Sequence, residues 1–520
     1  MFVVLHILWA AISLGLFRTV RGEIAVWPVL LGGWLVLPPA GYAAAGDPDV
    51  LPFWIIGSAL PSDLFFSKAW IAPAIAAACS ILFDRARWHG LRLTLADVPL
   101  LLFCAWPSVQ ALLVRPADPG GLASTVYIAG VWALPWLIAK LYLRTGEDAR
   151  RLAGTLALLS LVLLPVALAE GATGWRLHTA LLGAHPFAFD GIERYAGYRP
   201  QALFEHGNQY GIWCAGAALA ACWRLGAEPG GKSRAGWIAA AGILLAMTLA
   251  SQSAGAILLL FAGYAMLALR GSFAMARQLF PYLAAFLLLL SAVHVSGIVP
   301  LRSLANETMA GQMARDMFRA AGRQSLPWRI GQDLKSLPII QDRLLTGHAR
   351  WDWFREAGTR PWGLPLLVLG QFGLIGFIWL VAALGGTFFC HLRRAARDGA
   401  APARLYAVLL LLFGADALLN SFLFLPALLL TGACGASPRR GTGEVGCSPR
   451  SRTILSSISL PRPRPIWLPG ERSLADTKFP LRPCSASAVP VSSRPAACFA
   501  VPAPPLDAHS RVPPVQRARP

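Results

Sequence analysis

Between Tyr198 and Gly211 the chain sets an arginine, a carboxylate, a histidine and an asparagine against the start of an apolar run: Tyr198-Arg199-Pro200-Gln201-Ala202-Leu203-Phe204-Glu205-His206-Gly207-Asn208-Gln209-Tyr210-Gly211. Ionisable groups at membrane depth are costly to hold, and where they persist they serve function. A cation beside a histidine at a bilayer surface suits an anionic substrate tethered to lipid. Arg199 and Asn208 are therefore candidate substrate contacts: a guanidinium fork matches phosphate oxygens, and a helix starting here adds free N–H groups and a favourable dipole. The competing reading is an interfacial helix start, with Asn208 or His206 satisfying free N–H groups and Arg199 snorkelling.

A second set lies in the segment 300–362. It comprises Trp328-Arg329, then Gly347-His348-Ala349-Arg350-Trp351-Asp352-Trp353-Phe354-Arg355, then Arg360-Pro361-Trp362-Gly363. Arginine forks bind phosphate oxygens, and tryptophan faces cover sugar rings and lipid headgroups. Arg329, Arg350, Arg360 and Trp362 are the candidate substrate contacts. His348 is a candidate general base, because histidine side chains titrate near neutral pH. A belt of interfacial tryptophans with basic anchors would use the same residue types. No acidic pair with metal-ligand spacing accompanies them, so neither a catalytic metal nor a cofactor is expected. Two further motifs compete for attention. Ser251-Gln252-Ser253-Ala254-Gly255 reads as a small polar turn, serving close helix packing or lining a site on the same face. Gly226-Ala227-Glu228-Pro229-Gly230-Gly231-Lys232-Ser233 spells the phosphate-loop pattern, but that pattern needs a preceding β-strand. Here apolar runs flank it, and a short turn explains the letters.

The elements that must position these residues are membrane spans. Of 520 residues, 56% are hydrophobic and 14% charged, against about 25% charged in soluble domains. Apolar runs long enough to cross roughly 30 Å of hydrocarbon recur along the chain. About twelve are expected, near 2–17, 24–45, 66–83, 97–114, 122–140, 152–170, 207–223, 236–250, 254–269, 279–299, 363–389 and 405–430. The first shows no cleavable-signal pattern and reads as a true span. Segment 51–65, broken by Pro52, Pro61 and Asp63, reads as re-entrant or interfacial. Basic residues fall in alternate loops: Arg18 and Arg21; Arg85, Arg87 and Arg92; Lys140 to Arg151; Arg224 to Arg234; Arg270 and Arg277; Arg393 to Arg404. The positive-inside rule makes that side cytoplasmic. Both termini and the large 300–362 loop, with an amphipathic helix over Ser303 to Ala321, then lie on the other side.

The fold class is thus an all-α integral membrane protein, with a polytopic domain over 1–432 and a tail over 433–520. Pro, Ser and Arg dominate the tail, a composition that buries no core and reads as disordered. The break after Leu430 is abrupt enough to suggest a frame change in the coding sequence. Of the net charge of +20, about +9 lies from Cys434 onward. The rest is spread over short loops, so a nucleic-acid partner, which needs charge clustered on one folded face, is not expected. The nine cysteines show no C-x-x-C and no framework spacing, and read as small packing residues.

Taken in order, these features resemble the O-antigen ligase and polymerase superfamily of bacterial envelope glycosyltransferases. The resemblance spans about 150–430 and rests on four features: the arginine before an Asn-containing start of a span, Arg199 to Asn208; the Ser-x-Ser-x-Gly turn, Ser251 to Gly255; one large outer loop after a further span; and Gln371-Phe372-Gly373-Leu374-Ile375-Gly376, similar to the family's E-x-G-L-x-G. The family's His-Asn pair before that motif has no match here. Its Glu is Gln371, and its Ser-Arg-Gly is Ser253-Ala254-Gly255. The resemblance implies a multi-pass protein of the bacterial inner membrane with a GT-C-like fold and one large periplasmic loop, working without a metal. It implies a donor saccharide on undecaprenyl pyrophosphate and a glycan or lipid A-core acceptor in contact with membrane lipid. Arg199 and Arg350 would hold the pyrophosphate and His348 would activate the acceptor hydroxyl, with His206 its competitor. Ligase and polymerase remain alternatives. A transporter of lipid-linked saccharide is a third reading, but no internal repeat is visible and the ionisable residues gather in outer loops.

Overall fold

The computed structural model describes residues 2–39, 67–116, 120–183, 193–194, 196–227, 232–269, 271–296, 307–320, 325–350, 353–354, 361–397 and 401–434. The 51–65 segment, Arg360 and the tail beyond Cys434 fall outside them. The helices are α1 (Phe2–Thr19), α2 (Gly22–Val36), α3 (Lys68–Phe83), α4 (Arg85–Trp88), α5 (Val98–Val114), α6 (Gly120–Ile128), α7 (Leu134–Tyr142), α8 (Gly146–Leu161), α9 (Leu164–Thr173), α10 (Leu177–Leu182), α11 (Gly207–Ala227), α12 (Lys232–Ala250), α13 (Ala254–Ala268), α14 (Ser272–Ser296), α15 (Met309–Ala320), α16 (Ser325–Asp342), α17 (Leu364–Arg397), α18 (Ala401–Ala417) and α19 (Leu425–Ala433). One small hairpin, β1 (Glu193–Arg194) with β2 (Gly197–Tyr198), precedes α11. Six stretches among the described residues are long and apolar enough to cross a membrane: Leu95–Val114, Gly120–Tyr142, Gly146–Thr173, Lys232–Ala250, Ser272–Ser296 and Leu364–Arg397. Shorter apolar helices at Val3–Thr19, Gly22–Val36, Lys68–Phe83 and Ala254–Ala268 accompany them. The chain is a helical membrane protein.

Helix α11 is the centre. Every residue from Gln209 to Ala221 is buried, as expected for a helix apolar on all sides. Helices α8, α12, α13 and α18 pack around it. In lipid there is little hydrophobic drive between helices, so close approach through small residues supplies the cohesion. A Cβ on Gly216 would meet Phe424 at 2.5 Å, and one on Gly263 would meet Leu219 at 2.7 Å.

Polar contacts sort the two ends of the bundle. Glu23 at the start of α2 takes Arg87 at 2.6 Å and Arg151 at 3.1 Å. Arg144 donates to the Gly90 carbonyl, and Lys140 to the Arg92 carbonyl and to Asp97. A reciprocal Thr145–Asp148 capping box opens α8 at the same place. Three of the basic loops therefore meet at one end, as alternating spans require. Residues 196–208 and 251–253 sit at the opposite end. Accordingly, single cysteines at the exposed positions Ala196 and Arg397 should react with a membrane-impermeant maleimide from opposite sides. Labelling of both from one side would contradict this arrangement.

Residues 405–430 were expected to form one span, and they do not. Helix α18 stops at Ala417, 418–424 has no helical structure, and α19 is a separate helix. The break lies by the start of α17, where Leu364 N–H donates to the Asn420 carbonyl at 3.2 Å. Its polar residues help satisfy the freed backbone, since Asn420 N–H bonds the Asp416 carbonyl and its amide bonds the Asp416 carboxyl at 2.7 Å. Helix α19 then turns back. His391 bonds the Leu430 carbonyl, Arg394 donates to the Cys434 carbonyl at 2.8 Å, and a disulfide joins Cys390 to Cys434. Two readings are corrected. Residue 434 returns beside Arg394 to the basic end, so the described residues start and finish at opposite ends of the bundle. And Cys390 with Cys434 is a bonded pair, whereas Cys79, Cys104 and Cys214 are buried packing residues as expected.

Candidate functional site

Arg199 lies across the start of α11. Only glycine fits beneath it, because a Cβ on Gly207 would stand 2.4 Å from the guanidinium. Its Nε donates to the Ser251 carbonyl at 2.7 Å, and Nη2 donates to Asn208 Oδ1. Ser253 Oγ reaches the same Asn208 oxygen at 3.3 Å. The Ser251-Gln252-Ser253 turn, with Gln252 at φ 53°, is thus part of the site, and Gly211 lets it approach α11. His206 is the N-cap of α11: its Nδ1 accepts from Asn208 N–H at 3.0 Å, and its ring stacks on Phe422.

The network continues into the broken α18–α19 segment. Asn208 Nδ2 donates to Asn420 Oδ1 at 3.1 Å, and Gln209 Nε2 donates to the Leu423 carbonyl. Arg329 of α16 donates to Asn420 Oδ1 and the Leu419 carbonyl, each at 2.8 Å, and lies over the Trp362 ring at 5.2 Å. Trp362 N–H donates to Asp333 Oδ1 at 2.9 Å. Five candidates, Arg199, His206, Asn208, Arg329 and Trp362, therefore meet in one polar layer. Asp416, Asn420 and Phe422 complete it, and sequence reading missed them.

His348 is held elsewhere, on a break in α17. Gly373 leaves helical geometry at φ 66° and ψ −175°, which frees the carbonyls before it. Gln110 Nε2 donates to the Gln371 carbonyl at 2.5 Å and to the Thr346 carbonyl at 2.6 Å; Trp106 donates to the Phe372 carbonyl at 2.7 Å. The 344–349 loop docks on the break: His348 N–H bonds the Gly370 carbonyl, Ala349 N–H the Gln371 carbonyl, and Leu374 N–H the Leu344 carbonyl. The His348 ring stacks on Trp353, and its Nε2 donates to the Ile339 carbonyl at 2.7 Å. A neutral imidazole in this bond carries its lone pair on Nδ1. His206 differs, since the cap already uses its Nδ1 lone pair. Between Leu364, against Asn420, and Phe372 at the break, α17 rises about 12 Å. The two clusters sit at the ends of that segment. Arg350 is exposed beside His348.

Asp333 reports on the loop. Burial pushes its carboxyl up to about 6, against the pull of the Trp362 N–H and Arg329. The folded loop therefore keeps a proton that the unfolded chain loses nearer pH 4. Stability from this group is full below about pH 4 and is lost as pH rises through about 6. Asp333→Asn should flatten that part of the thermal-stability profile between pH 4 and 7; an unchanged slope would contradict the assignment.

Among the described residues, no group of three His, Cys, Asp or Glu side chains could hold a metal ion. The phosphate-loop letters begin in the last residues of α11, Gly226 and Ala227, and end in the first of α12, Lys232 and Ser233, so a helix stands where a nucleotide fold has a strand. No protein-family model matches this chain, and no curated protein matches it.

Proposed function

We propose that the chain transfers a glycan from a polyprenyl-pyrophosphate donor to an acceptor hydroxyl, as an O-antigen ligase does. The observation that carries this reading is the polar layer in which Arg199, Asn208, Asn420, Arg329 and Trp362 converge away from the basic loops. Arg329, stacked on tryptophan, is the anion contact of this layer. Arg199 is a positioning residue that fixes Asn208 and the Ser251 turn. His348 Nδ1 takes the acceptor proton, and the resulting oxygen attacks the sugar's anomeric carbon. The carbon–oxygen bond to the diphosphate breaks, and the diphosphate leaves with its charge held by arginine. A donor held at Arg329 would extend toward His348 along the α17 segment, which rises about 12 Å between Leu364 and Phe372.

A specific observation favours a second reading. Broken helices such as α17 at Gly373 and α18–α19 at 418–424 are also the architecture of transporter sites. A deletion strain separates the readings. Full-length lipid-linked glycan accumulates if a ligase is lost, single repeat units if a polymerase is lost, and untranslocated units if a transporter is lost. In a transfer assay Arg329→Lys should cost on the order of a hundredfold, because a point charge lacks the planar fork. Unchanged transfer would leave Arg329 an interfacial anchor.

A further inference from the structure

Gly386, Phe389, Cys390, Arg393, Arg394 and Arg397 of α17 line a cavity of about 440 Å³. Their spacing is that of one helical stripe, apolar in its first half and basic in its second. Gly386 borders open space, since a Cβ there would meet nothing within 4 Å. Phe389 packs toward α14, stacked on Phe280 with ring centroids 5.8 Å apart. Cys390, bonded to Cys434, and Arg394, which donates to the Cys434 carbonyl at 2.8 Å, tie α17 to the end of α19.

The three arginines are exposed and short of carboxylates. The Arg393 guanidinium lies over the Phe389 ring at 5.6 Å, a contact that uses its face and leaves its N–H edges to donate. Arg394 commits one N–H to Cys434. Arg397 has no hydrogen bond or ion pair among the described residues. The described carboxylates at this end go elsewhere: Glu23 and Asp84 to Arg87, Asp97 to Lys140, and Glu147 and Asp148 to Arg151. Asp398 lies outside the described residues. Like charges at 393 and 397, one helical turn apart, repel each other, and an anion set between them relieves that repulsion.

Depth decides which anion. Between Gly386 and Arg397 α17 rises about 16 Å. The headgroup layer of one leaflet is roughly 6 Å deep, so a stripe that starts at the basic surface continues into hydrocarbon. A free anion would use only the arginine end, whereas a phospholipid uses the whole length. Guanidinium forks bind phosphate oxygens, and basic pockets beside membrane spans take anionic headgroups. We propose that this face of α17 binds an anionic phospholipid, with the phosphate between Arg393 and Arg397 and an acyl chain along Phe389 and Gly386. The site lies at the end of the bundle opposite the polar layer around Arg199, and it does not rest on the transferase reading.

The test uses the full chain, purified in uncharged detergent and titrated with dioleoyl phosphatidylglycerol, with dioleoyl phosphatidylcholine as the control. Phosphatidylglycerol should raise the Tm of the unaltered protein saturably, and phosphatidylcholine should not. Replacing two arginines together, Arg393→Gln with Arg397→Gln, should weaken the apparent affinity by about tenfold or more. Arg18→Gln with Arg150→Gln removes the same charge from exposed positions at the same end and should leave the affinity unchanged. Gly386→Leu keeps every charge and fills the apolar half of the groove, so it should weaken the affinity severalfold. In the unaltered chain phosphatidylglycerol should also protect Arg393 and Arg397, but not Arg18, from phenylglyoxal, read by peptide mass spectrometry; this arm stands if a variant fails to accumulate. No saturable shift and no protection in the unaltered protein would overturn the proposal. So would equal weakening in the Arg18/Arg150 variant, which would mean bulk attraction of charge. An equal shift from inorganic phosphate at matched ionic strength, indifferent to Gly386→Leu, would make this a free-anion site and overturn the lipid assignment.

Discussion

His348→Ala is expected to lower glycan transfer by about 10²–10⁴-fold, the range for loss of a positioned general base, while the protein accumulates normally in the membrane. The ring is presented by a loop that docks on the α17 break through backbone bonds from residues 348, 349 and 374, and those bonds do not need the imidazole. The Ile339 carbonyl fixes which nitrogen carries the proton. Removing the ring should therefore cost chemistry rather than fold. His206→Ala is the internal contrast. It deletes an N-cap from α11, worth about 1 kcal/mol of stability, and should leave the turnover of surviving protein little changed. Transfer rates normalised to membrane-inserted protein check both. A near-normal rate in His348→Ala, with a collapsed one in His206→Ala, would exchange their roles.

Gly373→Ala should destabilise by at least about 3 kcal/mol, enough to deplete the inserted protein. Two independent costs add. At φ 66° and ψ −175° the backbone occupies a region that is essentially glycine's alone. A Cβ there would also stand 2.4 Å from the Gly347 nitrogen and 2.4 Å from the Leu345 carbonyl oxygen. Neither is a side-chain tip that can swing aside. Relieving the clash would part the 344–349 loop from the helix and carry His348 with it. Gly376→Ala also meets a close atom, the Phe372 Cβ at 2.5 Å, but its φ is not positive, so it lacks the backbone cost and should be milder. Protein yield and thermal midpoint of the two variants give the comparison, and equal behaviour would show that the break tolerates a side chain.

The polar layer was partly legible because cost is legible. Arg199, His206 and Asn208 stand against an apolar run, and Arg329 and Trp362 combine charge with aromatic surface; the structure joins all five. Asp416, Asn420 and Phe422 were hidden inside a run leucine-rich enough to read as one span. Hydropathy averages over such a window, and the local signal, Asp416 four residues before Asn420 with Pro426 following, is short. Gln371 to Gly376 carried a family likeness but not its physical meaning, since a single glycine at positive φ shows nothing in composition. The Cys390–Cys434 bond depends on α19 folding back, which a single-span reading forbids.

Reconstitution of the purified chain in liposomes with a polyprenyl-diphosphate-linked saccharide and an acceptor glycan tests the central claim most directly. The expected result is acceptor glycosylation matched one-to-one by free polyprenyl diphosphate, lost in His348→Ala and in Arg329→Lys. Donor carried across the bilayer with its sugar–diphosphate bond intact, and no acceptor modified, would contradict it.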